Sequence, residues 1–196
     1  AVLFGCIESG SVKTLTLTNS TIIGYNPVSG IVGSANGTTI ENCHVASDVT
    51  INGTADNVGA IAGYLYTSTV RGCTSAATVS GTQFVGGIVG VNNSSTIQDC
   101  LYTGTSVTAS STLVGAIVGY NEGGDAKLTN NYHTCSSMGG VGGVDSSDVD
   151  GAQFAVSSET MPDDFGDVTK TYGESTYIGV KTYGSNGLEY GSLYYF

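Results

Sequence analysis

Five times in its first 119 residues the chain returns to a short apolar run closed by glycine. The runs are "AVLFG" at the start, then "VSGIVG" from Val28, "VGAIAG" from Val58, "VGGIVG" from Val85 and "VGAIVG" from Val114. Their closing glycines, Gly5, Gly33, Gly63, Gly90 and Gly119, are separated by 28, 30, 27 and 29 residues. A near-constant period of this length marks a repeat architecture and constrains the fold more than any other feature. Seven residues after the first four glycines stand Val12, Ile40, Val70 and Ile97, and three further on Leu15, Cys43, Cys73 and Cys100. In the last copy a two-residue insertion in "NEGGDA" moves these places to Leu128 and Asn131. A third apolar stretch lies around Ile22, Val49, Val79 and Val107.

Each period thus holds three short β-like segments between Gly/Ser/Thr/Asn turns, with no stretch resembling a helix of ten residues or more. One such unit cannot bury its own apolar face, but stacked copies can. The pattern predicts an all-β, right-handed parallel β-solenoid (β-helix) of about four to five coils, three short strands per coil. Propeller blades need about 40 residues and four antiparallel strands, so the period favours the solenoid. Composition agrees. Charged residues are 11% of the chain, against roughly 25% in ordinary globular domains, and 30 glycines with many Ser, Thr and Asn replace them.

Between the apolar residue and the cysteine lies a column reading Asn42, Gly72, Asp99 and Asn130. These residue types enter the left-handed region at low cost and predict a coil corner. Thr14 occupies the place in the first copy, a departure that predicts a less regular first coil. The glycine run itself is apolar at both side-chain parities. Either something covers the second side, or the strand bends within the motif.

"VGGIVGVNNSSTIQDC" and its counterparts from Val28, Val58 and Val114 resemble the GLUG repeat of bacterial cell-surface and secreted proteins, with Ile mostly in place of its Leu. "LFGCIESGSVKTLTLTNSTIIG" is similar to the opening coil that often precedes such repeats, and the resemblance covers roughly residues 1 to 140. It implies an extracellular or bacterial cell-surface setting. Relatives of that family include adhesin-like proteins and repeat regions attached to peptidases, so no reaction is implied.

Residues 1–144 are read as the solenoid and 145–196 as an acidic, Tyr-rich cap or junction to a following domain. The second segment holds nine of the 16 carboxylates and six of the 12 tyrosines. "TYIGVKTYGSNGLEYGSLYYF" reads as a capping hairpin about "GSNG", and "SSETMPDDFGD" as a short helical turn. A cap answers the unpaired strand edges of the last coil.

The net charge is −11 with only five Lys and Arg, which disfavours nucleic acid and anionic membranes as partners. No apolar run reaches the ~18 residues of a membrane span. No basic segment precedes an apolar one at the start, so the chain reads as a mature or trimmed fragment without a signal peptide. Five cysteines in no zinc-binding pattern leave the pairing of Cys6 and Cys135 open. Cys43, Cys73 and Cys100 are expected to be reduced, buried core residues, because parallel strand spacing is too wide for a disulfide. His44 and His133 are expected at the surface. Asp145, Asp148 and Asp150 form a weak calcium candidate; an EF-hand is excluded because its first and twelfth positions fall on Ser146 and Ser157. No cofactor is otherwise expected.

The repeat acids show no column of paired carboxylates, as glycoside hydrolysis would need. The expectation is a non-enzymatic extracellular repeat module of a bacterial surface protein, acting in adhesion or as a stalk. Its partner would be a host or cell-surface glycan or protein, with further domains of a longer chain or end-to-end self-association possible. The alternative is a carbohydrate-binding module or a carbohydrate-active β-helix enzyme. Tyr25, Tyr64, Tyr66, Tyr102 and Tyr120 could make an exposed strip, with Tyr64 and Tyr120 in one column. Lys13, Glu41, Arg71, Gln98 and Thr129 form an outward column of alternating charge expected to fix stacking register.

Overall fold

Both parities of the glycine run are buried because the chain bends inside it. The strand Val85–Gly86 stops, and the next begins at Val89; Val85, Ile88 and Val89 are all fully buried. A Cβ on Gly90 would sit 2.5 Å from the Gly63 carbonyl oxygen and 2.6 Å from the Val58 amide nitrogen. The same overlap recurs up the column, with Gly63 against the Gly33 oxygen at 2.8 Å and Gly119 against the Gly90 oxygen at 2.8 Å. Backbone therefore stacks on backbone, and no side chain fits between.

The computed structural model describes residues 2–111, 113–122, 126–129, 131–135 and 138–143, with the backbone of 168–172 and 175–179. The first coil comprises β1 (Phe4–Glu8), β2 (Ser11–Lys13), β3 (Thr16–Leu17), β4 (Thr21–Gly24) and β5 (Val28–Ser29). The second repeats them as β6 (Val32–Asn36), β7 (Thr39–Glu41), β8 (His44–Val45), β9 (Thr50–Gly53) and β10 (Val58–Gly59). The third is β11 (Ala62–Tyr66), β12 (Thr69–Arg71), β13 (Thr74–Ser75), β14 (Thr78–Gly81) and β15 (Val85–Gly86). The fourth is β16 (Val89–Asn93), β17 (Thr96–Gln98), β18 (Leu101–Tyr102), β19 (Val107–Ala109) and β20 (Val114–Gly115). A fifth contributes β21 (Val118–Glu122), β22 (Lys127–Thr129) and β23 (Tyr132–His133).

Each strand pairs in parallel with its counterpart one coil away, so five narrow sheets run along an all-β solenoid of about four turns, with no helix among the described residues. The three predicted stretches per coil are present. Two are each broken in two, one by the bend in the glycine run and one by the corner, giving five strands. The core columns stack in register, Val12–Ile40–Val70–Ile97–Leu128 among them. In the third stretch the column runs Ile22–Ile51–Val79–Val107, so Ile51 and not Val49 occupies it.

The corner residues Thr14, Asn42, Gly72 and Asp99 all have φ between 52° and 59°. Thr14 thus conforms, and stacking overrides its β-branched preference. Ser9, Gly37, Thr67 and Ser94 form a second left-handed column, with φ between 44° and 57°. The two corners share one device. In the second to fourth coils the residue after each left-handed one (Thr38, Ser68 and Ser95, or Cys43, Cys73 and Cys100) carries a small side chain with a polar atom placed to accept from the amide one coil back, whereas Gly10 and Leu15 take these places in the first coil. At one corner the Thr38 amide donates to Ser68 Oγ (3.0 Å) and the Ser68 amide to Ser95 Oγ (2.8 Å). At the other the Cys43 amide donates to Cys73 Sγ (3.4 Å) and the Cys100 amide to Asn131 Oδ1 (3.1 Å). Every hydroxyl or thiol in turn reaches the carbonyl two residues before it, as Ser95 Oγ does to Asn93 (2.7 Å) and Cys100 Sγ to Gln98 (3.2 Å). The amides of Thr38, Ser68, Cys43 and Cys100, which leave the strand ladder at the corners, are thereby satisfied.

Stacking runs on past the fifth coil. Residues 139–143 lie in register on 116–120, with Val118 bridged to Val141 and Gly142 in the glycine column, its Cβ position 2.5 Å from the Gly119 oxygen. "MGGVG", residues 138–142, is therefore a sixth glycine run. β24 (Val168–Tyr172) and β25 (Ser175–Gly179) form an antiparallel hairpin, and β25 pairs antiparallel with β23. The hairpin thus uses the segment before "TYIGV" as its other strand. The "GSNG" turn and the "SSETMPDDFGD" segment lie outside the described residues.

Candidate functional surface

The charge column is in place along the sheet of β2, β7, β12, β17 and β22. Glu41 accepts from Lys13 Nζ at 3.1 Å and from Arg71 Nη2 at 2.8 Å, one cation on each neighbouring coil. Arg71, and then Lys13, holds the Glu41 carboxyl below its ordinary range. A carboxylate so held is ionised and occupied at neutral pH, the condition of a register pin and not of a general acid.

The sheet of β1, β6, β11, β16 and β21 carries the aromatic residues on its outer face. One column reads Cys6, Ser34, Tyr64, Val91 and Tyr120, and the next Glu8, Asn36, Tyr66, Asn93 and Glu122. Tyr64 and Tyr120 share a column as expected and are half-buried. Val91 between them is buried although its column faces outward, because a tyrosine flanks it on each side. The Tyr64 hydroxyl accepts from Asn93 Nδ2 at 3.0 Å, and burial raises its pKa. Tyr66 is 46% exposed. Beside Tyr120 lies the ring of Phe84, 5.2 Å away and inclined by 39°.

Sequence reasoning did not single out Phe84. It stands just before its glycine run, where other copies have Pro27, Asn57 and Leu113, so no shared residue type marks the place. Its φ is 54°, and Asn57 at the matching position has 59°. Asparagine tolerates that conformation, whereas a bulky aromatic is an outlier in it.

Tyr102 does not belong to the strip. It is fully buried in the inward column Leu17–Val45–Ser75–Tyr102–His133. Its ring fills space left by two glycines, a Cβ on Gly87 falling 2.6 Å from it, and its hydroxyl lies 2.9 Å from the Ala77 oxygen. His133, expected at the surface, is fully buried in that same column because β23 turns its second residue inward. His44 is half-buried, its Nδ1 2.8 Å from Thr74 Oγ1.

Cys43, Cys73 and Cys100 are fully buried thiols in no disulfide, Cys135 is a buried cysteine also outside any disulfide, and Cys6 is an exposed free thiol. The next thiol in the ladder, together with burial, pushes Cys43 and Cys73 well above the usual thiol range, so both stay protonated and unreactive. Among the described residues no group of three His, Cys, Asp or Glu is placed to hold a metal ion. Asp145, Asp148 and Asp150 lie outside them. No described helix is long and apolar enough to cross a membrane.

Compared with protein-family models, curated proteins and solved structures, the chain finds no match.

Proposed function

We propose that this chain is a non-enzymatic extracellular repeat module of a bacterial surface protein, serving as an adhesive stalk. One observation carries the reading: equivalent strands of every coil pair in register along five sheets, with polar ladders at both corners. Such a stack transmits load along its axis through rows of parallel backbone hydrogen bonds. Its outer columns vary freely from coil to coil, while inner columns such as Val12–Ile40–Val70–Ile97–Leu128 stay apolar. Beads coated with the chain should adhere to host or bacterial cell surfaces, and denatured chain should not. Equal adhesion by uncoated beads would overturn the adhesive role. Hydrolysis of a polysaccharide by the pure chain, lost on substituting a described carboxylate, would overturn the non-enzymatic one.

A second reading, a carbohydrate-binding module, is favoured by a separate observation. Tyr64, Tyr66 and Tyr120 lie on one sheet face, with Phe84 against it.

A further inference from the structure

Phe84 is the only aromatic residue held at positive φ among the described residues, and the matching position one coil earlier uses asparagine. Strain of this kind persists where the surrounding structure enforces it, and it clusters at ligand-contacting sites. Here the strained residue puts an aromatic ring against Tyr120, extending the tyrosine face sideways. Between Glu8 and Glu122 the two outward columns contain only Ser34, Asn36, Tyr64, Tyr66, Val91 and Asn93. The surface therefore offers ring faces and amides, with no cation to attract an anionic ligand. Pyranose rings match that chemistry: a face of C–H bonds lies on aromatic rings, and a rim of hydroxyls pairs with amides. Tyr64 and Tyr120, two coils apart, are separated by about 9–10 Å along the axis, which suits several linked sugars better than one. An extended peptide would instead seek an open strand edge, and here β11 and β16 are paired on both sides.

We propose that Tyr64, Tyr66, Phe84 and Tyr120, with the Asn93 amide, bind an uncharged polysaccharide laid along the solenoid axis. This rests on the second reading above.

The test is affinity electrophoresis of the whole chain through gels containing hydroxyethylcellulose, galactomannan, xylan or dextran, with alginate as the anionic comparison. At least one neutral polymer should retard the chain, and alginate should not. Tyr66→Ala and Tyr120→Ala should each weaken the retardation at least tenfold, whereas Thr108→Ala, on another sheet, should leave it unchanged. Phe84→Asn should weaken it tenfold while the melting temperature holds or rises, because Asn57 shows that the backbone accepts asparagine. No retardation in any neutral gel by a cooperatively folded chain would overturn the proposal. So would retardation that Tyr120→Ala leaves intact, or a Phe84→Asn variant that melts lower and binds as before. Retardation by a neutral polymer that Tyr66→Ala, Tyr120→Ala and Phe84→Asn all leave intact would overturn this site and leave the carbohydrate-binding reading standing, whereas no retardation in any gel would overturn both.

Discussion

Replacing Cys73 distinguishes a packing cysteine from a hydrogen-bonding one. The thiol is fully buried, yet its sulfur accepts the Cys43 amide, and serine performs the same task at the other corner. Alanine and serine are close in volume, but alanine leaves that amide without an acceptor, at a cost of about 1–3 kcal/mol. Cys73→Ser should therefore melt higher than Cys73→Ala in thermal denaturation; the opposite order would reduce the column to packing. Glu41 gives a second test at this scale. Its folded pKa lies below the ordinary 4.5, so its stabilising effect is complete above that value and is lost as pH falls through the lower folded one. The melting temperature of the native chain should fall more steeply than that of Glu41→Gln as pH drops from about 5 to 3. High salt at pH 7 should shrink the difference between them, since the pair is solvent-exposed. Parallel curves for the two proteins would deny Glu41 the pinning role.

A strand of two to five residues has little stability alone, so what matters at the scale of the element is where the chain turns. The left-handed corners and the glycine run set those turns, and the glycine run is the less forgiving. Gly90→Ala would drive a methyl group into the Gly63 oxygen and the Val58 amide, both backbone atoms that cannot swing aside. Overpacking of this kind costs about 1–3 kcal/mol. Thr14→Asn should act in the opposite sense by relieving a β-branched residue at φ 55°, with a gain of under about 1 kcal/mol. Urea denaturation of the two variants reads both signs. A Gly90→Ala midpoint equal to the native one would mean that the coils can part locally.

Across the whole molecule, stability is a sum over coils and the interfaces between them. Removing residues 64–90, one full period from Gly63 to Gly90, should leave a cooperative β-sheet melt at a lower temperature. Removing residues 64–76 should lower the melt further than the longer deletion does, because the coils on either side of the cut would meet out of register. Circular dichroism on the two deletions decides the matter, and a half-period deletion that melts as high as the full-period one would refute register-dependent stacking. The β24–β25 hairpin ends parallel growth on one sheet by pairing antiparallel with β23. Pairing of that kind gives the last coil a strand neighbour without continuing the repeat.

The sequence by itself determined the coil. Period, glycine column, apolar columns and the αL-tolerant corner residues are local chemistry repeated at fixed spacing, and stacking of identical units reads them out directly. It also placed Tyr64 with Tyr120 and Glu41 between Lys13 and Arg71, because parallel register follows from the alignment of copies. Only the tertiary structure decided where the pattern departs from itself. Thr14 adopts the corner conformation because its neighbours impose it. Tyr102 turns inward where Gly87 and Gly104 leave room, and His133 follows it in the same inward column. "MGGVG" was hidden by a step of 23 residues after Gly119 and by the retention of only one β-branched residue, Val141, while its backbone still stacks. Phe84 was illegible for a different reason: no residue type recurs at its position, and its ring meets Tyr120 from another column, a contact that in-register alignment of the copies does not encode.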